Sequence, residues 1–330
     1  MDRKDYNEVK EKFELFTKTL KDRKVDRLDA VFTSDVKCYL STAKAYEDGS
    51  QHTLFGIKNF ILDMPNTDFF HTRICNYVCR MRDNEAQQSA HIVCLCGRYG
   101  KKEPLYFLFN MMFSNHWKKY EDGWKINEVR MDVIKEEGNF EEFIENWHFE
   151  DRLAKTYTGV HLPCISGEFD SPWARIPIAD DVYTEEEKVA DPFYRYAFGI
   201  DNLVFHEVEK AVCEDVISKI QPWGSMDKRT WITALKFHRQ KDRHWGHCGK
   251  ISDIIIEDEK AKMKIYRMCG HRQREHSYVY TNENVDLEHV CATYEIECRK
   301  IDGQWKIKEC EYFLGLVELG KYTKEDKVII

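Results

Sequence analysis

The sequence repeats itself, and the repeat constrains the fold more than any other feature. Asp35-Val36 returns as Asp215-Val216, and Asp122-Gly123 returns as Asp302-Gly303, each 180 residues on. Trp124-Lys125-Ile126 returns as Trp305-Lys306-Ile307 at an offset of 181, and His71 is matched with His247 at 176. Each match alone is weak. An offset that stays near 180 across a whole domain is hard to obtain by chance. The chain has 330 residues, and domains of roughly 150 residues make that two of them.

Each copy reads in the same order. Tyr6, Val9, Phe13, Phe16 and Leu20 alternate spacings of three and four, one stripe of a 3.6-residue period. A short helix around Leu28–Phe32, a strand at Asp35–Leu40 and a third helix over Leu54–Leu62, stopped by Pro65, follow. From residue 69 long strands take over: 69–81, 85–99, 105–120 and 124–133, with Asp83-Asn84 and Asp122-Gly123 as turns. In the second copy Phe193, Tyr196, Ala197, Ile200 and Leu203 give the helical stripe, and Trp231–Phe237 the third helix. The strands 247–258, 260–272, 286–301 and 305–313 close its meander. Helices first and an antiparallel sheet after describe an α+β domain with its helices on one face. Between the copies, Pro163, Pro172 and Pro177 fall in a stretch without periodicity. The expected division is a first domain at 1–150, a linker at 151–182 crossing the surface, and a second domain at 183–330.

The order helix, helix, strand, helix and four-strand meander, ending in Asp-Gly and then Trp-Lys-Ile, resembles the nuclear transport factor 2-like superfamily. More closely it resembles the SnoaL-like branch, with its polyketide cyclases, scytalone dehydratase and bile acid dehydratase. The resemblance covers about residues 5–135 and 186–318. It implies two tandem cone-shaped domains, each a curved antiparallel sheet wrapped around about three N-terminal helices, with an apolar pocket inside. It also implies an intramolecular pseudo-dimer that mimics the homodimer common in the family, with further homo-oligomerisation left open.

The dehydratases of this family imply a site of a histidine early in the first long strand, a tyrosine on the short strand, and a Tyr-Asp pair near the end of the first helix. In the first copy His71 and Tyr39 fit, while the helix pair is Leu20-Lys21 and lacks the acid. In the second, His247 and Asp201 fit, while Ile200 holds the tyrosine position of the pair and the strand tyrosine falls near Lys219. Neither copy has the full set.

The chemistry those residues could do is definite. Imidazole titrates near pH 6.5 and can take a proton beside a carbonyl and return it elsewhere. Tyr39 could donate a hydrogen bond to a developing enolate, and Asp201 could orient His247. Each has a plainer reading: a satisfied strand histidine, an aromatic core residue, a helix-terminal charge. His91, on the strand beside that of His71, and Asn76, Asp132 and His244 are further candidates for lining a pocket. The segment His244-Trp245-Gly246-His247-Cys248, with Cys269, His271 and His276, invites a metal. Residues 244 and 247 on one strand would face opposite ways, so no metal is expected. There is no CxxC pair, glycine-rich nucleotide loop or nucleophile elbow, and no cofactor is expected.

The net charge of -8 gives no general attraction to DNA or anionic lipid. No apolar run approaches the roughly 20 residues of a membrane span, and the charged start Met1-Asp2-Arg3-Lys4-Asp5 is unlike a signal peptide. The expectation is a cytoplasmic protein without nucleic-acid or membrane partners, its 12 cysteines mostly reduced thiols. Whether it is an enzyme is left open. One expectation is a cofactor-free lyase or isomerase, of dehydratase, isomerase or cyclase type, using His-based proton transfer on an apolar hydroxylated or carbonyl substrate. The other is a non-catalytic ligand-binding or scaffold protein whose tandem domains mimic a homodimer. A third is divergence, with one live and one degenerate copy.

Overall fold

The structure, a computed structural model, describes residues 2–42, 46–143, 164–241, 246–268, 278–322 and 328. It divides into two compact units, one ending at Val182 and joined by Val328, the other running from Tyr183 to Tyr322. Among the described residues no helix is long and apolar enough to cross a membrane.

In the first unit α1 (Arg3–Asp22) opens on a capping box between Asp2 and Asp5, which satisfies two N-terminal amides reciprocally. Its stripe of Tyr6, Val9, Phe13, Phe16 and Leu20 is buried. A 3-10 turn (Val25–Ala30) leads to β1 (Phe32–Leu40), followed by α2 (Leu54–Leu62). The long strands β2 (Phe69–Arg82), β3 (Glu85–Arg98), β4 (Leu105–Tyr120) and β5 (Gly123–Gly138) follow. The sheet order is β1-β5-β4-β3-β2, antiparallel except for β1, which lies parallel to β5. The inner face is fixed by ring contacts with α1. Phe113 lies 5.7 Å from Phe13 and 5.6 Å from Phe16, and Tyr77 lies 5.9 Å from Phe13.

Short helices α3 (Phe140–Phe143), α4 (Gly167–Asp170) and α5 (Pro172–Arg175) come next. The stretch expected to be a surface linker is a strap over the outer face of this sheet from Cys164 onward. Asp132 accepts the backbone N–H of Cys164 at 3.1 Å and of Ile165 at 3.2 Å. The Ser114 hydroxyl donates to the Asp170 carbonyl at 2.7 Å, and Arg80 Nε donates to the Ile176 carbonyl at 2.7 Å. The strap's own Trp173 and Ile176 are buried. β3 is therefore buried on both faces, which a sheet with one solvated face does not show.

The second unit repeats the plan. α6 (Glu185–Asp201) starts on a capping box between Thr184 and Glu187. α7 (Phe205–Ala211), β6 (Val212–Ile220), a short β7 (Gly224–Asp227) and α8 (Lys228–Lys241) follow. The meander is β8 (Gly249–Glu257), β9 (Lys260–Arg267), β10 (Leu287–Ile301) and β11 (Gln304–Lys321). The order β7-β6-β11-β10-β9-β8 matches the first sheet with β7 added, and β6 is again parallel to β11. The repeated tryptophans tie each last strand to the first turn of its helix. Trp124 Nε1 donates to Asp5 at 2.9 Å, and Trp305 Nε1 to Glu185 at 3.3 Å. On β9 the exposed Lys260, Lys262 and Lys264 alternate with the buried Ala261, Met263 and Ile265, the signature of a sheet with one wet face.

Strand register corrects one expectation. Trp117 pairs with Ile126 and Cys298 with Ile307, which makes Phe113 and Tyr294 equivalent; each also meets its helix phenylalanine, Phe13 or Phe193. Phe113 pairs with Ala90 and Tyr294 with Ile265, so Ile92 and Arg267 correspond. Ile92 pairs with Ile74 and Arg267 with Gly249. Two residues back from Ile74 and Gly249 stand Thr72 and His247. The partner of His247 is thus Thr72, not His71. A slip of one residue moves a strand side chain to the opposite face.

Candidate functional site

The second unit holds the candidate site. α6 ends at Asp201, and its carboxylate meets His247, which immediately precedes β8. Asp201 accepts the His247 backbone N–H at 2.8 Å and the ring Nδ1–H at 2.5 Å. Both side chains are buried, at 1% and 5% exposure. A carboxylate can only accept, so Nδ1 carries the proton and Nε2 keeps its lone pair. Burial pushes the imidazole down from 6.5 to about 4, helped by Arg267 and Arg239 and opposed by Asp201. The ring is neutral at pH 7, a base whose protonated form has a carboxylate waiting behind it.

A cavity of about 50 Å³ opens beside it. Its walls are aromatic: Tyr196, which meets the His247 ring edge-on at 6.3 Å, then Tyr294, Tyr312 and Trp223. Burial raises the pKa of Tyr196 and Tyr294 well above the ordinary phenol value, so both stay protonated. Two guanidiniums complete the lining. Arg239 donates through Nε to the Ile200 carbonyl at 3.2 Å and through Nη2 to that of Asp201 at 3.5 Å, capping the C-terminus of α6. Arg267 donates to the Tyr312 hydroxyl and to the Gly246 carbonyl, each at 3.1 Å. Trp223 is 41% exposed and forms the rim with His238, edge-on at 5.2 Å.

Of the expected site residues, His247 and Asp201 are brought together. His71 and Tyr39 are not. Tyr39 shares the outer face of the first sheet with its neighbour Arg130, whose guanidinium lies 4.3 Å over the ring, while Val36, Cys38 and Leu40 are buried on the alternate side. His71 also faces outward, in step with Arg73 and Cys75, and stacks on Phe69 at 5.9 Å. The two sit on β1 and β2, at opposite edges of the sheet. His91 Nδ1 pairs with Asn110 at 3.1 Å on that outer face. Asp132 holds the strap, and Asn76 sits at a β-bulge with φ 51, a left-handed conformation that Asn tolerates better than most residues. Tyr39, His71, His91 and Asp132 all face away from the interior packed on α1. His244, and the Cys269, His271 and His276 of the metal reading, lie outside the described residues.

The first unit fills the equivalent interior. Across the register, Tyr196, His247, Arg267, Tyr294 and Tyr312 become Phe16, Thr72, Ile92, Phe113 and Met131, all buried. Asp201 becomes the exposed Lys21. Sequence reading missed Arg239, Arg267 and Tyr312, yet a signal was there. Arg267 continues the apolar alternation Ala261, Met263, Ile265, and Arg239 continues the i, i+4 series Trp231, Leu235. An arginine that takes the next core position of an apolar stripe is placed, not solvated.

A family model described as a SnoaL-like domain matches residues 181–311. No curated protein matches the chain. Similar solved structures include a protein from Kribbella flavida, 15% identical with a TM-score of 0.33, covering 39% of this chain and 90% of that one. An NTF2-like protein from Cytophaga hutchinsonii is 16% identical with a TM-score of 0.30, covering 40% of this chain and 99% of its own. A protein with a cystatin-like fold from Nostoc punctiforme is 15% identical with a TM-score of 0.29, covering 39% and 90%.

Proposed function

With residues 181–311 a SnoaL-like domain of the NTF2-like superfamily, we propose that the second unit is a lyase or isomerase whose own side chains move the proton. The substrate is a small hydroxylated or carbonyl-bearing compound with an apolar body. The observation that carries this reading is the buried His247–Asp201 pair at the wall of an aromatic cavity. Nε2 of the neutral imidazole takes a carbon-bound proton, and the imidazolium returns it, to a second carbon in an isomerisation or to the departing hydroxyl, which leaves as water, in an elimination. Asp201 holds the tautomer and offsets the charge on the ring meanwhile. The cavity, about 50 Å³, is far below the roughly 300–1,000 Å³ of sites that enclose a drug-sized ligand. Only the reacting end of the substrate enters, and its body extends past Trp223.

The test is a panel of cyclic hydroxy and keto compounds incubated with the full chain in D₂O. NMR follows exchange of carbon-bound protons and loss of water. His247→Ala should lower turnover by about 10²–10⁴-fold; a variant that exchanges at the wild-type rate refutes the reading.

For the first unit we infer a scaffold role without chemistry. Phe16, Ile92, Phe113 and Met131 support it, because they place apolar bulk where the second unit has its polar site.

A further inference from the structure

We infer that the cavity beside His247 is an anion site, which takes the carboxylate of a small organic acid on Arg267 and the Tyr312 hydroxyl. The inference rests on the reading of this cavity as a substrate site and names the substrate class. Three observations carry it.

The first is the chemistry of the lining. Among the described residues around the cavity there are two guanidiniums, Arg239 and Arg267, and no carboxylate. They are buried to 1% and 4% exposure. Asp201 is turned to the far side of His247, where its two oxygens hold the ring and the backbone. A ligand entering here meets cationic donors, phenols and aromatic faces.

The second is that the fold itself does not require Arg267 or Tyr312. The first unit builds the same sheet with Ile92 and Met131 at those two places. Burying a guanidinium is costly in free energy, and an aliphatic residue serves the architecture there. Arg239 also caps α6 and Arg267 also holds the Gly246 carbonyl, so each guanidinium has structural work beside its place in the lining.

The third is the geometry of the pair. The Tyr312 oxygen accepts from Arg267 Nη1 at 3.1 Å, which leaves the phenolic proton to donate elsewhere. A guanidinium is a planar fork of donors suited to the two oxygens of a carboxylate, and charge-assisted bonds of that kind are the strong ones. The small volume admits a carboxylate head with the carbon that bears it, between Tyr196 and Tyr294, and the apolar body extends past Trp223.

The experiment measures binding of benzoate and of its neutral isostere benzamide to the full chain, by calorimetry in a buffer free of carboxylate and phosphate. Wild type should bind benzoate about tenfold to a hundredfold more tightly than benzamide, the range expected of charge-assisted hydrogen bonds. Tyr312→Phe should weaken benzoate by about tenfold and benzamide by less, because only the bond to the carboxylate is charge-assisted. Arg267→Gln should abolish the preference, and Arg267→Lys should restore part of it. If Arg267→Gln fails to fold, Tyr312→Phe, which keeps the guanidinium and its bond to Gly246, decides the matter alone. Equal affinity for the two probes in wild type, binding of neither, or an undiminished benzoate preference in Tyr312→Phe overturns the inference. His247→Gln should keep the benzoate preference while losing proton exchange, so failure of the anion site and failure of the proton-transfer reading are told apart.

Discussion

Asp201 grips His247 at two atoms, the backbone N–H at 2.8 Å and Nδ1 at 2.5 Å. The carboxylate thereby fixes both where the ring stands and which tautomer it adopts. Asp201→Asn removes one of these bonds, because an amide offers one acceptor and one donor where the carboxylate offers two acceptors. Turnover should fall by about 10²–10⁴-fold, and stability should fall by about 1–3 kcal/mol through the unmet buried donor. Nitrogen NMR of the imidazole should show a single Nδ1–H tautomer in wild type and its loss in the variant. A variant with the wild-type tautomer and rate would remove Asp201 from the mechanism.

Stability should depend on pH through the same histidine. Its folded value lies near 4, against 6.5 for an ordinary imidazole. Between these values the unfolded chain binds the proton and the folded chain does not, so stability rises with pH across that window. The contribution is complete above about pH 6.5 and is lost as pH falls toward about 4, amounting to roughly 3 kcal/mol. Urea unfolding of wild type and His247→Gln at a series of pH values should show a shallower slope in the variant between pH 4 and 6.5. Parallel curves would place the titration elsewhere.

His71 tests the correspondence between the copies. The repeat aligns it with His247, yet the sheet register puts Thr72 in the equivalent place and turns His71 outward. His71→Ala and Tyr39→Phe should leave turnover and ligand binding unchanged. Tyr39→Ala should cost the first unit about 0.5–1 kcal/mol for the lost contact with the Arg130 guanidinium. A fall in turnover with His71→Ala would bring the first unit back into the chemistry.

The sequence carries the architecture in redundant form, and so it could be read. Five buried residues make the α1 stripe, from Tyr6 to Leu20, and Asp302-Gly303 turns with positive φ at both residues, as a two-residue hairpin loop requires. Asp201 and His247 were legible because a resemblance pointed at both. What could not be read is what depends on a single residue of register. His71 and Thr72 are neighbours in the chain, and only strand pairing shows which one faces the helices. The strap over the first sheet was illegible for a different reason. Much of its grip is through backbone groups, such as the carbonyls of Asp170 and Ile176, which every residue carries, and its few buried side chains, Trp173 and Ile176 among them, follow no period.

That strap gives the last prediction. Asp132 sits on the outer face of β5, 5% exposed, and its two oxygens accept the amides of Cys164 and Ile165. Asp132→Ala leaves those two donors without their acceptor, at a cost of about 1–3 kcal/mol. The loss should fall on the first unit. Urea unfolding should shift to lower denaturant, and proteolysis within residues 164–182 should become faster as the strap lifts from Ser114 and Arg80. The site around His247 draws no residue from β5 or from the strap, so ligand binding there should be unchanged. Asp132→Asn separates the hydrogen bonds from the charge: an amide oxygen can still accept one of the two N–H groups, so it should recover part of the stability. If Asp132→Ala instead abolished binding at His247 while the strap kept its protection from protease, Asp132 would belong to the site and not to the strap.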